Sequence, residues 1–189
     1  MQPETGLKDK ILNLKIRNPL ALAAAFIGAA SLFFPWWSIT VGDSPIHLYP
    51  YYIDVVREPL GFTGAPDETT RMMIFTSIII LMIVLILIGS FKKGMLGRIF
   101  TGVGSLGFLG VLYLFKGAVE DHIEMANETQ MYVAEGAPGE VYIAAEGSFS
   151  YLGTTIVTGY DLGLDLALVC AVIGIIAILI HDMFVIKFR

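Results

Sequence analysis

Three glutamates recur at intervals of four residues in a stretch of this chain where the sequence predicts a helix. They are Glu120, Glu124 and Glu128, and His122 lies between them. Residues four apart share one face of a helix, and carboxylates with an imidazole can collect a divalent cation. The stripe lacks the turn glycine and the dense oxygen spacing of a dedicated calcium loop. A solvated acidic face is therefore the alternative to a metal site.

The other residues that could act in catalysis or metal binding form no enzyme motif. His47 and His122 lack the paired spacing of a zinc site, and Cys170 stands alone in an apolar run, where packing is its expected role. Gly102–Gly107 matches the Gly-x-Gly-x-x-Gly motif of dinucleotide-binding sites. Such a site needs a strand before the motif and a soluble helix after it, so the match is attributed to helix packing. The sequence predicts no catalytic residue, no enzyme and no cofactor.

Four long apolar segments must position these residues. The segments are Leu20–Phe34, Met72–Gly89, Ile99–Phe115 and Leu162–Ile180. A bilayer crossing needs about 20 mostly apolar residues, and each segment reaches that length with its flanks. Only 15% of the 189 residues are charged, too few to cover a soluble surface. The predicted fold class is all-α membrane, a four-transmembrane-helix bundle with a small extracytoplasmic cap that contains β structure.

The chain is predicted to be a single membrane domain from 1 to 189. Its parts are a tail at 1–18, spans at 19–40, 72–90, 98–116 and 161–182, outer loops at 41–71 and 117–160, a turn at 91–97 and a tail at 183–189. Asn18-Pro19 predicts a capped start for the first helix. The run Ala21–Ala30 has features of a signal peptide, but it continues to Trp37, so we expect an uncleaved anchor.

The basic residues set the predicted orientation. Most of the 12 Lys and Arg residues lie in the N-terminal tail, in the turn at 91–97 and at the C-terminus. Cytoplasmic segments collect Lys and Arg, so we expect a multi-pass protein of the cell membrane with both termini in the cytoplasm. The acids lie mainly in the outer loops, which argues against nucleic acid as a partner. Leu7 to Arg17 is read either as an interfacial helix or as a flexible basic tail.

Small residues recur along three of the four spans and predict close helix packing. The candidates are Ala25, Gly28, Gly104, Gly107, Gly110, Ala167 and Gly174. The second span lacks such a stripe, so we expect the first, third and fourth spans to pack tightly and the second to face more lipid. Contacts with other copies of the chain are the alternative use of these stripes.

Asp165 is the single Asp, Glu, Lys, Arg or His residue in the four apolar segments, about one turn into the fourth. An intramembrane charge marks a functional site by default, but this one lies near the outer end of its span. Lys116 lies at similar predicted depth, which makes an ion pair between the two the expected arrangement. Asp161 is the predicted cap of the fourth helix.

The outer loops carry the β-prone runs. In the first loop, Ser38–Val41 predicts a strand, and Asp43-Ser44-Pro45 predicts a turn. In the second loop, a helical Lys116–Gln130 is expected to extend the third span. Three β-prone runs follow and predict a small antiparallel sheet: Met131–Glu135, Glu140–Ala145 and Phe149–Thr158. Asn127-Glu128-Thr129 is a sequon, so Asn127 is the predicted glycosylation site of the outer face.

Pro35-Trp36-Trp37 ends the first span, where indoles commonly anchor at the membrane boundary. With four spans, cytoplasmic termini and an outer sheet, the layout of the whole chain resembles the claudin-like tetraspan architecture. The claudin Gly-Leu-Trp motif and loop cysteine pair are absent, as are the loop cysteines of tetraspanins. The stretch 149–163 also resembles prokaryotic, in particular archaeal, four-span proteins, which implies a place in the cell envelope.

Two functional hypotheses follow from these features. The first is a non-enzymatic structural, adhesion or self-assembly role through the acidic outer cap. The alternative is an accessory subunit of a larger membrane complex, such as a respiratory or transport complex, and a channel formed by oligomerisation is a third idea. The expected partners are the lipid bilayer, another copy of the chain or a different membrane protein, and a divalent cation at the outer face.

Overall fold

The computed structural model describes residues 15–51, 53–54, 66–129, 142–151, 153–181, 183 and 186–187. Within these residues the chain is mostly helical and adds a small antiparallel sheet. The helices are α1 (Pro19–Ser31), α2 (Pro66–Phe91), α3 (Gly94–Thr129) and α4 (Leu162–Leu179). The last three are long and apolar enough to cross a membrane, whereas α1 has 13 residues. The apolar stretch predicted as a first span at 19–40 is therefore helical only as far as Ser31.

Local sequence accounts for where α1 begins and where the turn into α3 falls. The backbone N–H of Ala21 donates to Asn18 Oδ1 at 3.0 Å. This confirms Asn18 as the cap, with Pro19 in the first helical position, where its fixed φ suits a helix. Only two residues separate α2 from α3, and the next one, Gly94, has φ of +63°. Glycine accepts that left-handed conformation without strain.

Helix α3 is much longer than a bilayer crossing requires. Its 36 residues extend about 54 Å at the standard rise per residue, whereas the hydrocarbon core is ~30 Å thick. The predicted helical extension over Lys116–Gln130 is confirmed as far as Thr129. The carboxyl-terminal part of α3 thus provides a rigid support for the residues around it.

The main sheet has five antiparallel strands, and both of the loops predicted to be outer loops contribute to it. The strands are β2 (Trp37–Val41), β3 (Ser44–Leu48), β4 (Ile53–Asp54), β5 (Gly147–Tyr151) and β6 (Thr154–Tyr160). Their order is β4-β3-β2-β6-β5. The central pair is β2 with β6, in which Ile39 faces Thr158. This pairing joins segments more than a hundred residues apart in sequence.

The strand predicted at Ser38–Val41 is confirmed and begins one residue earlier. The turn after it lies at Gly42 and Asp43, not at the predicted Asp43-Ser44-Pro45, because Gly42 takes φ of +61° while Ser44 and Pro45 pair within β3. A two-residue hairpin favours such a left-handed position.

The second outer loop differs from its prediction in two places. The run Phe149–Thr158 divides into β5 and β6, because a turn containing Gly153 at φ of +79° interrupts it. The stretch 142–144 is not a strand, so the described part of the predicted run Glu140–Ala145 is wrong. The run Met131–Glu135 and the N-terminal residues up to 14 lie outside the described residues.

A second, two-stranded sheet joins the two ends of the described chain. In it, β1 (Lys15–Ile16) pairs antiparallel with β7 (Ile186–Lys187). The chain as a whole forms two compact units. The terminal unit comprises Met1–Ala29, Ile80–Leu109 and Leu168–Arg189, and the sheet unit comprises Ala30–Ile79 and Gly110–Ala167.

Candidate functional site

Trp36 occupies the core of the sheet unit. It is fully buried, and its ring meets Phe115 edge to face at 5.1 Å and Phe75 at 6.2 Å between ring centroids. Its Nε1–H donates to the Ser31 carbonyl at 3.0 Å, which satisfies the indole donor. Trp37 is buried as well. The prediction that these indoles anchor the protein at a membrane boundary is wrong, because both rings lie inside the protein.

The start of α4 packs directly against the chain around Trp36, and this requires glycine at position 163. A Cβ built on Gly163 would lie 2.5 Å from the Phe34 carbonyl oxygen and 2.5 Å from Trp36 Cδ1. The Gly163 N–H donates to the Pro35 carbonyl at 2.9 Å. Any larger residue at this position would separate the two segments.

The two faces of the sheet differ in chemistry. Successive side chains of a strand point to opposite faces, and one face buries Trp37, Ile39, Ile46 and Ile156. We call the opposite side the open face; it carries Ser38, Thr40, Pro45, His47, Ser148, Ser150, Thr155 and Val157, and Asp54 pairs with His47 at its β4 edge.

An uncharged row of the open face runs across four strands. Pro45, Thr40, Val157 and Ser148 stand side by side, each paired with the next on the neighbouring strand. Val157, at the centre of this row, has 46% of its surface exposed. Glu120, Glu124 and Glu128 lie away from this row, exposed on α3. The sheet unit therefore presents an acidic helix and, separately, a neutral row on the sheet.

A crevice of about 630 Å³ opens within the sheet unit. Leu114, Phe115 and Ala118 of α3 line one side of it, and Trp37 and Phe75 lie on the other. Most of its wall is apolar, and its volume falls in the range of ligand pockets, ~300–1,000 Å³.

The crevice changes character along α3. Leu114, at one end, is 64% exposed and continues the apolar helix surface. Asp121 and His122, about two turns later, bring polar groups to the wall. Along the rise of the helix, Leu114 and Met125 are about 16 Å apart. The site thus extends along α3, apolar at one end and acidic near the other.

The predicted cation stripe does not become a metal site in the described residues. Glu120, Glu124 and Glu128 are exposed on α3. Across the part of the chain that the structure describes, no three His, Cys, Asp or Glu residues come together as metal ligands would. The geometry gives these carboxylates an electrostatic effect on their surroundings, without a coordination shell.

Asn127, the predicted glycosylation site, forms hydrogen bonds that hold a neighbouring segment of the chain. Its Nδ2 donates to the Ile143 carbonyl at 2.8 Å, and its Oδ1 accepts from the Ile143 N–H at 2.9 Å. The residue is only 6% exposed. Nδ2 is the atom to which a glycan would be attached, and an amide this buried leaves no accessible path for a sugar. Glycosylation of the folded protein at this residue conflicts with the structure.

Lys116 and Asp165, the predicted ion pair, do not form one. The Lys116 Nζ lies 4.4 Å from the centroid of the Tyr160 ring, a cation–π contact. Asp165 is exposed in the first turn of α4. Asp161 precedes α4 as predicted, but its carbonyl, not its carboxylate, accepts the N–H of Leu164 at 2.9 Å.

The small residues predicted for helix packing fall mostly at close contacts inside the terminal unit. A Cβ on Gly28 would lie 2.8 Å from Cys170 Sγ, and one on Gly174 would collide with Ser105. Ala25 and, in the sheet unit, Ala167 are buried. Cys170 is buried against Gly28, which confirms its predicted packing role.

The prediction that the first, third and fourth spans pack together while the second faces more lipid is only partly confirmed. Gly104 and Gly107 pack against α2, where a Cβ on Gly104 would lie 2.8 Å from the Met82 carbonyl oxygen. Helix α2 is nevertheless the least buried of the three long helices. Gly110 meets nothing within 4 Å among the described residues, so it packs against no other described helix of this chain, and its use against another copy stays a prediction. The sequence showed which residues were small but not which neighbour each would face.

Sequence reasoning missed a hydrogen-bonded cluster in the terminal unit. His181 is buried, with Nε2 3.0 Å from the Lys92 carbonyl and Nδ1 3.1 Å from Asn18 Nδ2. A carbonyl only accepts, so Nε2 carries the hydrogen and Nδ1 accepts from the Asn18 amide. Asn18 also donates to the Ala177 carbonyl at 2.6 Å. A lone histidine after the last apolar run gave no spacing signal for this role.

Comparison with known proteins places the chain in no family. No family model, no curated protein and no solved structure matches it. Its class rests on its own architecture: a mostly helical chain with three long apolar helices and a small antiparallel sheet, compatible with a helical membrane protein.

Proposed function

We propose that this protein is a four-span, non-enzymatic protein of the cell membrane that joins copies of itself through the open face of its outer sheet. Both termini lie in the cytoplasm in this account. The observation that carries the proposal is the uncharged, exposed row across β3, β2, β6 and β5. The claudin-like comparison remains part of the proposal as a likeness of layout.

The path of α1 supports a fourth crossing. Asn18, at the start of α1, contacts the end of α4, whereas Gly28 faces Cys170 nearer the middle of α4. The two helices therefore run antiparallel. Three long helices alone would leave the ends of the chain on opposite sides, but β1 and β7 pair directly. An even number of crossings fits this pairing.

Apolar exposure and charge support the membrane placement. Large apolar side chains are exposed along the helices, among them Phe26 (67%), Leu106 (61%) and Leu179 (77%). Water would disfavour such surfaces, whereas lipid accommodates them. The basic residues of the terminal unit, Lys92 and Lys93 among them, support a cytoplasmic position for that unit.

The distribution of charge favours the open face as the contact surface. The acidic helix of one copy would repel that of another, and like charges brought together cost several kcal/mol. The uncharged row of the open face has no such penalty, and the cores of protein interfaces are depleted of charged residues. A symmetric dimer would bring the same face of two copies together.

Variants with one introduced cysteine test both the membrane orientation and the contact between copies through the open face. Cys170, the one native cysteine, is buried, so an introduced cysteine supplies the accessible thiol. In intact cells, Thr155→Cys should react with a membrane-impermeant maleimide and form disulfide-linked dimers under mild oxidation. Glu124→Cys, on the acidic helix, is the matched control and should react with the maleimide without forming dimers.

Other outcomes would overturn parts of this account. Failure of both variants to react in intact cells would contradict the orientation. Equal dimer yields from both variants would contradict the contact through the open face. A disulfide from Thr155→Cys to a different protein, at constant stoichiometry, would favour the alternative hypothesis of an accessory subunit.

A further inference from the structure

The crevice in the sheet unit is a binding site in its own right, separate from the open face. It lies between the outer part of α3 and the sheet, and Trp37, Leu48, Phe75, Leu114, Phe115 and Ala118 form much of its apolar wall. We infer that it holds the hydrocarbon chain of an amphiphile whose head group carries a positively charged ammonium.

The shape and polarity of the crevice point to a chain and not to a compact ligand. The site extends about 16 Å along α3 from Leu114 to Met125 and is apolar over most of that length. Leu114 is 64% exposed and belongs to the apolar surface of the helices. An amphiphile in the membrane can therefore reach the crevice without crossing water. Each methylene that it buries contributes about 0.8 kcal/mol.

The charges at the other end select the head group. Asp121 lies in the crevice wall, and Glu120 and Glu124 flank it on the same helix, both exposed. Three carboxylates within five residues attract a cation and repel a carboxylate or phosphate head group. The tail then lies toward Leu114 and the ammonium toward Asp121.

Photolabelling of the purified full-length protein in micelles of an uncharged sugar detergent tests the inference. The probes are two 16-carbon chains with a diazirine near the tail end, one with a trimethylammonium head and one with a carboxylate head. The ammonium probe should label residues within 114–125 at least fivefold more than the carboxylate probe. Unlabelled hexadecyltrimethylammonium should displace it in a saturable manner.

Matched variants distinguish the crevice from general detergent contact. Ala118→Trp fills the crevice and should reduce labelling at least fivefold. Gly117→Trp, one residue away where an added Cβ meets no described atom within 4 Å, should leave labelling unchanged. Asp121→Lys should invert the preference between the two heads, whereas Glu128→Lys, with the same change in charge, should not.

Three results would overturn the inference. They are equal labelling of Ala118→Trp and Gly117→Trp, a preference of the native protein for the carboxylate probe, and the absence of saturable displacement. The displacement measurement uses the unmodified protein, so it remains decisive if a variant fails to fold. The outcome is independent of the proposed self-association, because it is measured without reference to oligomeric state.

Discussion

The carboxamide of Asn127 forms two hydrogen bonds with the backbone of Ile143, 16 residues later in the chain. Through this pair the outer end of α3 holds the segment that leads into β5. Asn127→Ala would leave the buried N–H and carbonyl of Ile143 without these bonds, which costs roughly 1–3 kcal/mol. We expect a clearly lower midpoint in a thermal unfolding measurement by circular dichroism.

Thr129→Ala is the control for Asn127→Ala, because both changes remove the sequon but only one removes the hydrogen bonds. Thermal unfolding should be unaffected in Thr129→Ala, and neither variant should change electrophoretic mobility relative to the native protein. A mobility shift common to both variants would show that Asn127 carries a glycan, contrary to the structure.

Gly104 and Gly110 on α3 have similar sequence surroundings but opposite contacts. Ala at position 104 would press against the Met82 carbonyl, and overpacking of this kind costs about 1–3 kcal/mol. Ala at position 110 meets open space, so its better helix propensity should leave stability unchanged or raise it by up to ~1 kcal/mol. Unfolding of both variants in a detergent titration measures the difference. Similar stabilities for the two would contradict the packing of α3 against α2.

Tyr160 should make stability fall at alkaline pH. Burial raises the pKa of its hydroxyl above the ordinary value of about 10, and the charges of Glu120 and Glu146 raise it further. The folded state thus holds the proton more tightly than the unfolded state. The resulting stability is present below pH ~10 and is lost as pH rises through the folded pKa.

Tyr160→Phe should reduce that alkaline loss and leave stability at neutral pH unchanged or higher. The Tyr160 hydroxyl is buried with no hydrogen-bond partner within the described part of the chain, so its removal relieves a desolvation cost. Thermal unfolding between pH 7 and pH 11 measures the effect. Tyr142→Phe, at a 73% exposed position of the same unit, is the control; identical profiles for the two variants would refute the assignment.

Asn18 and His181 should be energetically coupled. Both side chains are buried, and Asn18 Nδ2 lies 3.1 Å from His181 Nδ1. Removal of either side chain deprives the other of this hydrogen bond. A double-mutant cycle with Asn18→Ala and His181→Ala should show a coupling free energy of about 0.5–3 kcal/mol. Strictly additive effects on unfolding would mean that the contact between the two side chains contributes nothing.

Local signals predicted the helices better than they predicted the contacts. The Asn18-Pro19 pair identified a helix start because a cap acts within one turn. The pairing of β2 with β6 could not be predicted from the sequence, because its register depends on two loops that meet only after the helices have packed. Trp36 was misjudged for the same reason: an indole at the end of an apolar run suits a membrane boundary and a protein core equally well.

The candidate sites divide in the same way. The acidic stripe on α3 was visible from its spacing, but the neutral row of the open face requires the strand register that places Thr40 beside Val157. The crevice likewise arises from residues of α2, α3 and the sheet that no linear pattern connects. Sequence could therefore identify the acidic helix surface but neither the open face nor the crevice.

The molar mass of the protein in a density-matched detergent, measured by sedimentation equilibrium, tests the central claim most directly. The native chain of 20.6 kDa should sediment as a dimer or larger assembly. Val157→Glu would place two carboxylates against each other across the open face, and should weaken association at least tenfold while the monomer stays folded. Glu124→Gln should associate like the native protein. A monomeric native protein, or a Val157→Glu variant that associates as strongly as the native chain, would contradict the account.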